Sequence, residues 1–315
     1  MARPSISIAR QRIATEAEAR TGFLDLGQLG LTELPEGLFR LTHLRRLSLG
    51  GWYLDAQGEL QDSLSEGEDN RVGAGLARLA ELSELEALFL NGAALSDLGP
   101  VAALSGLRVL ECASTKVSDL APVAALSRLR SFDCSGTDVR DLAPLAALSD
   151  LRTLGFSTTQ VSDLAPVSGL SRLETLDCAD TEVSDLSPVS GLSHLQALHC
   201  DDTGVSDLSP VSGLFHLETL DCAGTQVRDL SPVAGLSSLA WLDCSGTQVN
   251  DLSPVTSLSS LDSLDCSGTP VSDLSPVAGL SALAWLDCRD TQVRDLSPVA
   301  GRSDLRVDHS LRGTD

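Results

Sequence analysis

The sequence predicts an α/β solenoid. Short repeats stack so that their strands form a parallel β-sheet on the concave face and short 3-10 or α turns line the convex face. Three observations predict it. Leucine recurs every 22 residues at 85, 107, 129, 151, 173, 195, 217, 239, 261, 283 and 305, which frames ten repeats with no insertion. The first half of each repeat alternates apolar and polar residues, as a half-buried strand does. The second half carries D-L-(S/A)-P-(V/L), with few departures such as Gly99, where proline suits the first turn of a helix.

One repeat, Leu217 to Ser238, reads LETLDCAGTQVRDLSPVAGLSS. Leu217, Leu220, Cys222 and Val227 are expected inside, and Thr225 ends the strand. Ser231 looks like an N-cap before Pro232, and Val233 and Leu236 return to the core. Asp229 stands where it can accept N–H bonds of the turn or cap. A single unit cannot bury its own apolar face, so neighbours must stack.

The unit L-x-x-L-x-C-x-x-T-x-V-x-D-L-(S/A)-P-(V/L) resembles the leucine-rich repeat, whose strand reads L-x-x-L-x-L-x-x-N-x-(I/L). Its D-L-S-P-V tail and 22-residue period are similar to the internalins and to the phosphatase-1 regulatory subunit of the same class. The resemblance covers about 21–304 and implies a right-handed solenoid that binds other proteins. The sequence departs from the pattern in Cys for the second strand leucine and in Thr for the usual Asn. Threonine offers one hydroxyl in place of an amide, so the side-chain ladder between repeats should be weaker.

The ends are less regular. Residues 1–20 read as a capping helix with an apolar stripe through Ile6, Ala9, Ile13 and Ala17. Two irregular repeats follow from 21 and from Leu44. The stretch 55–75 between them and Leu85 is acidic and Gly-rich, and it reads as an exposed loop. The run ARQRIATEAEARTGFLDLGQLGLTELPEGL is similar to the start of repeat regions in bacterial Roco-type signalling or defence proteins. After Leu305 the pattern fails, since Asp308 stands where a core leucine belongs, so 305–315 reads as a cap or tail.

The eight cysteines all take the sixth repeat position, where Leu90 and Phe156 stand in two other repeats. That interchange marks an apolar, buried site, and free cysteine behaves there as a small hydrophobe. Parallel strands about 4.8 Å apart do not meet the Cβ separation of about 3.8 Å and the twist that a disulfide needs. A single row of sulfurs cannot surround zinc either.

The carboxylates point elsewhere. The fifth position faces outward and holds Asp177, His199, Asp221, Asp243, Asp265 and Asp287 in successive repeats. Over repeats 85 to 283, the outward positions two, three, five, seven and eight carry 15 acids against four arginines, half of the chain's net charge of −22. Asp201, Asp202 and Asp290 belong to that count. Trp241 and Trp285 take the third position two repeats apart, as exposed anchors for an interface. Acids would steer a basic protein toward the face, and tryptophan would supply contact or cation–π stacking. The alternative is a solvated face on which recent duplication copied the aspartates. His199, between Asp177 and Asp221, could join a metal or a pH-sensitive patch, but the arrangement reads as flat and open, so no metal or other cofactor is assigned.

A pI near 4.4 argues against nucleic acid and against an anionic membrane surface. No window reaches the roughly 18 apolar residues of a membrane span. The start lacks the apolar core of a signal peptide, so the default compartment is cytoplasmic, with leaderless secretion left open. Lys116 is the sole lysine, which fits a GC-rich bacterial genome or, alternatively, a host-delivered effector that escapes ubiquitination. No P-loop, H-E-x-x-H or G-x-S-x-G motif occurs, so an enzyme is not expected. The reading is a monomeric module that binds a basic protein on its acidic concave face. A sensor arm of a larger signalling or defence protein, and an acidic inhibitor, immunity protein or host-directed effector, are the alternatives.

Overall fold

The computed structural model describes residues 4–309, so residues 1–3 of the expected cap and 310–315 of the expected tail lie outside the described residues. The chain divides into two units, Met1–Gln160 and Val161–Asp315, and both are built from the predicted repeat.

The first unit opens with a helix, Pro4–Ala19, that turns Ala9 and Ile13 into the core. Ala17 is exposed, contrary to the expected stripe, and the buried residue of that turn is Glu16. The reason is polar. The Glu16 carboxylate accepts the Gly22 N–H at 2.8 Å and the Thr21 hydroxyl at 2.5 Å, and it meets His43 Nε2 at 2.9 Å. It thereby satisfies the backbone where the chain leaves the helix for the first strand. Six parallel strands follow in sheet order, Phe23–Asp25, Arg46–Ser48, Ala87–Phe89, Val109–Glu111, Ser131–Asp133 and Thr153–Gly155.

The stretch expected as an exposed loop is only partly so. Trp52–Leu54 and Leu60–Asp62 form an antiparallel hairpin whose second strand is exposed. Ser63, Asn70 and Val72 are buried. Asn70 donates to the carbonyls of Leu26 (2.8 Å) and Leu49 (2.9 Å) and accepts from Leu31 N–H (2.8 Å). It supplies to the first repeats the amide that asparagine provides in a leucine-rich repeat. The buried Asp25 carboxylate accepts Leu64 N–H at 2.8 Å and pairs with Arg12 at 3.1 Å, which ties the insertion to the capping helix.

The second unit has seven parallel strands: Thr175–Asp177, Ala197–His199, Thr219–Asp221, Trp241–Asp243, Ser263–Asp265, Trp285–Asp287 and Arg306–Asp308. Register advances by 22 residues until the last pair. There Leu286 faces Val307 and Asp287 faces Asp308, an offset of 21. The one-residue slip turns Val307 toward the core and puts Asp308 on the outer face, so Asp308 does not occupy the leucine site. Residues 305–309 thus complete a last strand.

In the ten regular repeats from 85 each turn region is a short 3-10 helix that begins at the residue before proline, such as Ser231–Gly235. Ser231 is its first residue rather than its cap. The capping group is the preceding aspartate: Asp229 Oδ1 accepts Ser231 N–H at 2.7 Å, and Asp97, Asp119, Asp141, Asp163, Asp185, Asp207, Asp251, Asp273 and Asp295 do the same. Threonine of the ninth position bonds within its own repeat. Thr225 Oγ1 donates to Cys222 O at 2.6 Å, which closes the strand locally and does not bridge to a neighbour.

Candidate functional site

All the candidate residues lie in the second unit. Register sets Asp177, His199, Asp221, Asp243, Asp265 and Asp287 side by side on adjacent strands. The leucines between them along each strand are fully buried, so the fifth position faces the outer side of the sheet. Each aspartate also has a local task that the sequence pattern hides. Its Oδ1 accepts the N–H two residues on, at 3.1 Å for Asp177, 3.0 Å for Asp221 and 2.8 Å for Asp243 and Asp265. This Asx-type bond ends the strand.

The column is electrostatically crowded. Burial pushes Asp221 up to about 7, and the neighbouring charges of Asp201, Asp243 and Asp202 add to the shift. Asp265 is raised by burial and then by Asp243 and Asp287, and Asp201 by burial and then by Asp177 and Asp202.

Asp287 departs from expectation. Its side chain is fully buried, because Arg289, two residues on and on the same face, folds over it in a bidentate pair. Asp287 is therefore not offered to a partner, and the open acidic stretch runs from Asp177 to Asp265. The tryptophans are half-buried rather than exposed. Trp241 and Trp285 share a row through Ser263, as the spacing predicts. The Trp241 ring lies 6.5 Å from the His199 ring. The Trp285 indole N–H donates to Asp308 Oδ2 at 3.0 Å, so it fastens the last strand.

Asp202 and Asp290 are exposed, and both sit at the eighth position with φ of +50° and +57°. Every repeat from 85 to 283 has a left-handed residue there, among them Gly136, Gly224, Gly246 and Gly268. Aspartate tolerates that conformation better than most side chains, so turn geometry alone admits it. Asp201, half-buried, lies with His199 and Asp221, and one ligand atom from each falls within 4.8 Å of the others.

The cysteines are scaffolding. All eight are buried and free. The thiols of Cys112, Cys178, Cys200, Cys222, Cys244 and Cys266 donate to the carbonyl of the next strand, at 3.1 Å from Cys200 Sγ to Asp221 O and 3.2 Å from Cys222 Sγ to Asp243 O. Burial raises every thiol, so none is a ready nucleophile.

Sequence reasoning missed what happens on the first unit's outer face. Phe23, Phe89 and Val109 occupy outward positions, and the hairpin covers them. Tyr53 packs against Phe23 at 4.7 Å and Phe89 at 6.1 Å between ring centroids, and only 8% of Tyr53 is exposed. Arg46 lies over both phenylalanine rings and donates to Leu54 O. Apolar residues at positions that are polar in later repeats were the available signal. A cavity of about 680 Å³ beside the capping helix, lined by Ile8, Arg12, Leu64 and Glu68 among others, lies in this unit, remote in sequence from the acidic column.

No protein-family model matches the chain, and no curated protein matches it by sequence. Solved structures do. Internalin InlF of Listeria monocytogenes is 22% identical, with 97% of this chain and 95% of that one covered and a TM-score of 0.74. The functional domain of InlJ from the same organism, which includes a cysteine ladder, is 24% identical over 73% of this chain and 54% of that one, with a TM-score of 0.59. The plant peptide hormone receptor RGFR1, solved in complex with RGF2, is 17% identical over 88% of this chain and 45% of that one, with a TM-score of 0.67. These likenesses establish the fold, and this chain has the leucine-rich-repeat fold.

Proposed function

We propose that this chain is a non-enzymatic protein-interaction module, and that the outer sheet face of its second unit receives a basic protein ligand. One observation carries the reading. Asp221, Asp243 and Asp265 stand in register on adjacent strands, with burial and mutual repulsion raising Asp221 and Asp265, and among the described residues no arginine folds over them as Arg289 does over Asp287. Lysine or arginine from a partner would relieve that repulsion, and Trp241 beside them offers an aromatic surface to a cation. In the first unit the hairpin covers the outward residues Phe23, Phe89 and Val109, and the acidic row that supports the reading lies in the second. Proteins of this fold bind protein or peptide partners, RGFR1 with RGF2 among them. Among the described residues no helix is long and apolar enough to cross a membrane.

The reading is tested with a displayed library of random peptides panned against the immobilised chain. Enriched peptides should be rich in Lys and Arg, and their binding should weaken with salt and fall on Asp243→Asn with Asp265→Asn. Enrichment of uncharged peptides, indifferent to those substitutions, would overturn it.

A further inference from the structure

We propose that His199, Asp201 and Asp221 form a site for a first-row divalent transition metal, of the Zn2+ or Co2+ kind, on the sheet face of the second unit. His199 ends the strand Ala197–His199, and Asp221 is its register partner on the next strand. Asp201, two residues beyond His199, returns to the same face. The three ligand atoms lie within 4.8 Å of one another, and each residue is half-buried. Among the described residues no other trio of histidine, cysteine and acid side chains meets in this way.

The repeat itself argues that this trio is not a by-product of duplication. The fifth position is aspartate in the flanking repeats, and histidine occurs there once, at 199. The seventh position is Ala, Ser, Asn or Arg in the other nine repeats counted from 85, and acidic once, at 201. The two departures fall in the same repeat, and their side chains converge with the copied Asp221.

One imidazole nitrogen and two carboxylate oxygens make a borderline donor set. Ca2+ and Mg2+ prefer oxygen alone, whereas Zn2+ and its neighbours accept imidazole. Tetrahedral bonds of about 2.0–2.1 Å place ligand atoms about 3.4 Å apart. A bound ion would draw the ligand atoms together from within 4.8 Å, by rotation chiefly of His199 and Asp201. Asp221 Oδ1 accepts Ala223 N–H at 3.0 Å, which orients the carboxylate, and the Trp241 ring stands 6.5 Å from the imidazole. The surrounding charges of Asp177, Asp202 and Asp243 favour a cation. Three protein ligands leave at least one position for water. The inference does not depend on the protein-binding reading.

The test uses the full chain, stripped with a chelator and titrated with Co2+. Tryptophan emission and visible absorption are followed, and Zn2+ is then added as competitor. One Co2+ per chain should bind, quench Trp241 and leave when Zn2+ is added. His199→Ala and Asp201→Asn should each weaken binding by about tenfold or more, with unchanged circular dichroism. Asp201→Asn is nearly isosteric and half-exposed, so it keeps the fold if His199→Ala does not. Equal binding by wild type and Asp201→Asn, or full competition by Mg2+ at the Zn2+ concentration, would overturn the site and leave only diffuse screening by acids.

Discussion

Asn91 Nδ2 donates to Glu111 Oε2 across 2.8 Å inside the first unit, and the same amide's oxygen accepts Ala113 N–H at 2.9 Å. Glu111 is buried, and burial pushes it from 4.5 up to about 7, with the charge of Asp133 adding and the Asn91 bond opposing. The folded state therefore holds a proton that the unfolded chain releases. Between about pH 4.5 and 7, stability should fall as pH rises, because the unfolded state binds fewer protons. Glu111→Gln keeps an acceptor for Asn91 and removes the ionisation. It should unfold at higher urea than wild type at pH 8, by on the order of 1–3 kcal/mol, and match wild type near pH 4. An unchanged difference between the two pH values would show that Glu111 is not the titrating group.

The eight thiols should be silent in the native protein. Ellman's reagent should label none of them before unfolding, and all eight after it. Cys288, in the repeat nearest the end and raised only to about 11, should be the first to react in mild denaturant. Rapid labelling of a middle cysteine such as Cys222 would contradict its burial.

Thr158 holds φ at +53°, a conformation that a β-branched side chain adopts at a cost. Thr158→Gly should raise stability by about 0.5–1 kcal/mol, since five other repeats use glycine at this turn without strain. Thermal melts of the two proteins decide it, and a lower melting temperature for the variant would show that Thr158 makes a compensating contact.

Asn70 satisfies three backbone groups with its one side chain. Asn70→Ala should cost roughly 2–4 kcal/mol and expose the 55–75 stretch to limited proteolysis. A wild-type cleavage pattern would mean that the insertion is held by Asp25 and Ser63 instead.

The repeat was legible in the sequence because a 22-residue leucine period admits few other meanings. Inward and outward positions followed from alternation, and the cysteines from their interchange with Leu90 and Phe156. What stayed hidden depends on contacts that periodicity does not carry. Arg289 masks Asp287 through an i,i+2 relation on one strand face, which counting charges by column averages away. The last strand gives up one residue of register so that Val307 fills the core site, and a fixed period cannot anticipate that. Tyr53 lies on Phe23 and Phe89 because the hairpin of Trp52–Leu54 and Leu60–Asp62 folds back, and neither length nor acidity of 55–75 encodes that direction. The sequence sets His199 between Asp177 and Asp221 with Asp201 near it on a flat, open face, while the structure brings one ligand atom each of His199, Asp201 and Asp221 within 4.8 Å of one another.

The central claim is that the open acidic face of the second unit binds a protein. Affinity capture from a lysate of the source organism tests it most directly, comparing three folded baits: wild type, Trp241→Ala with Asp243→Lys and Asp265→Lys, and a control with Glu18→Lys and Glu182→Lys away from the face. A basic protein retained by wild type and control, and lost by the face variant, is the predicted result. Equal retention by all three baits would contradict the claim and return the aspartate column to its local task of ending strands.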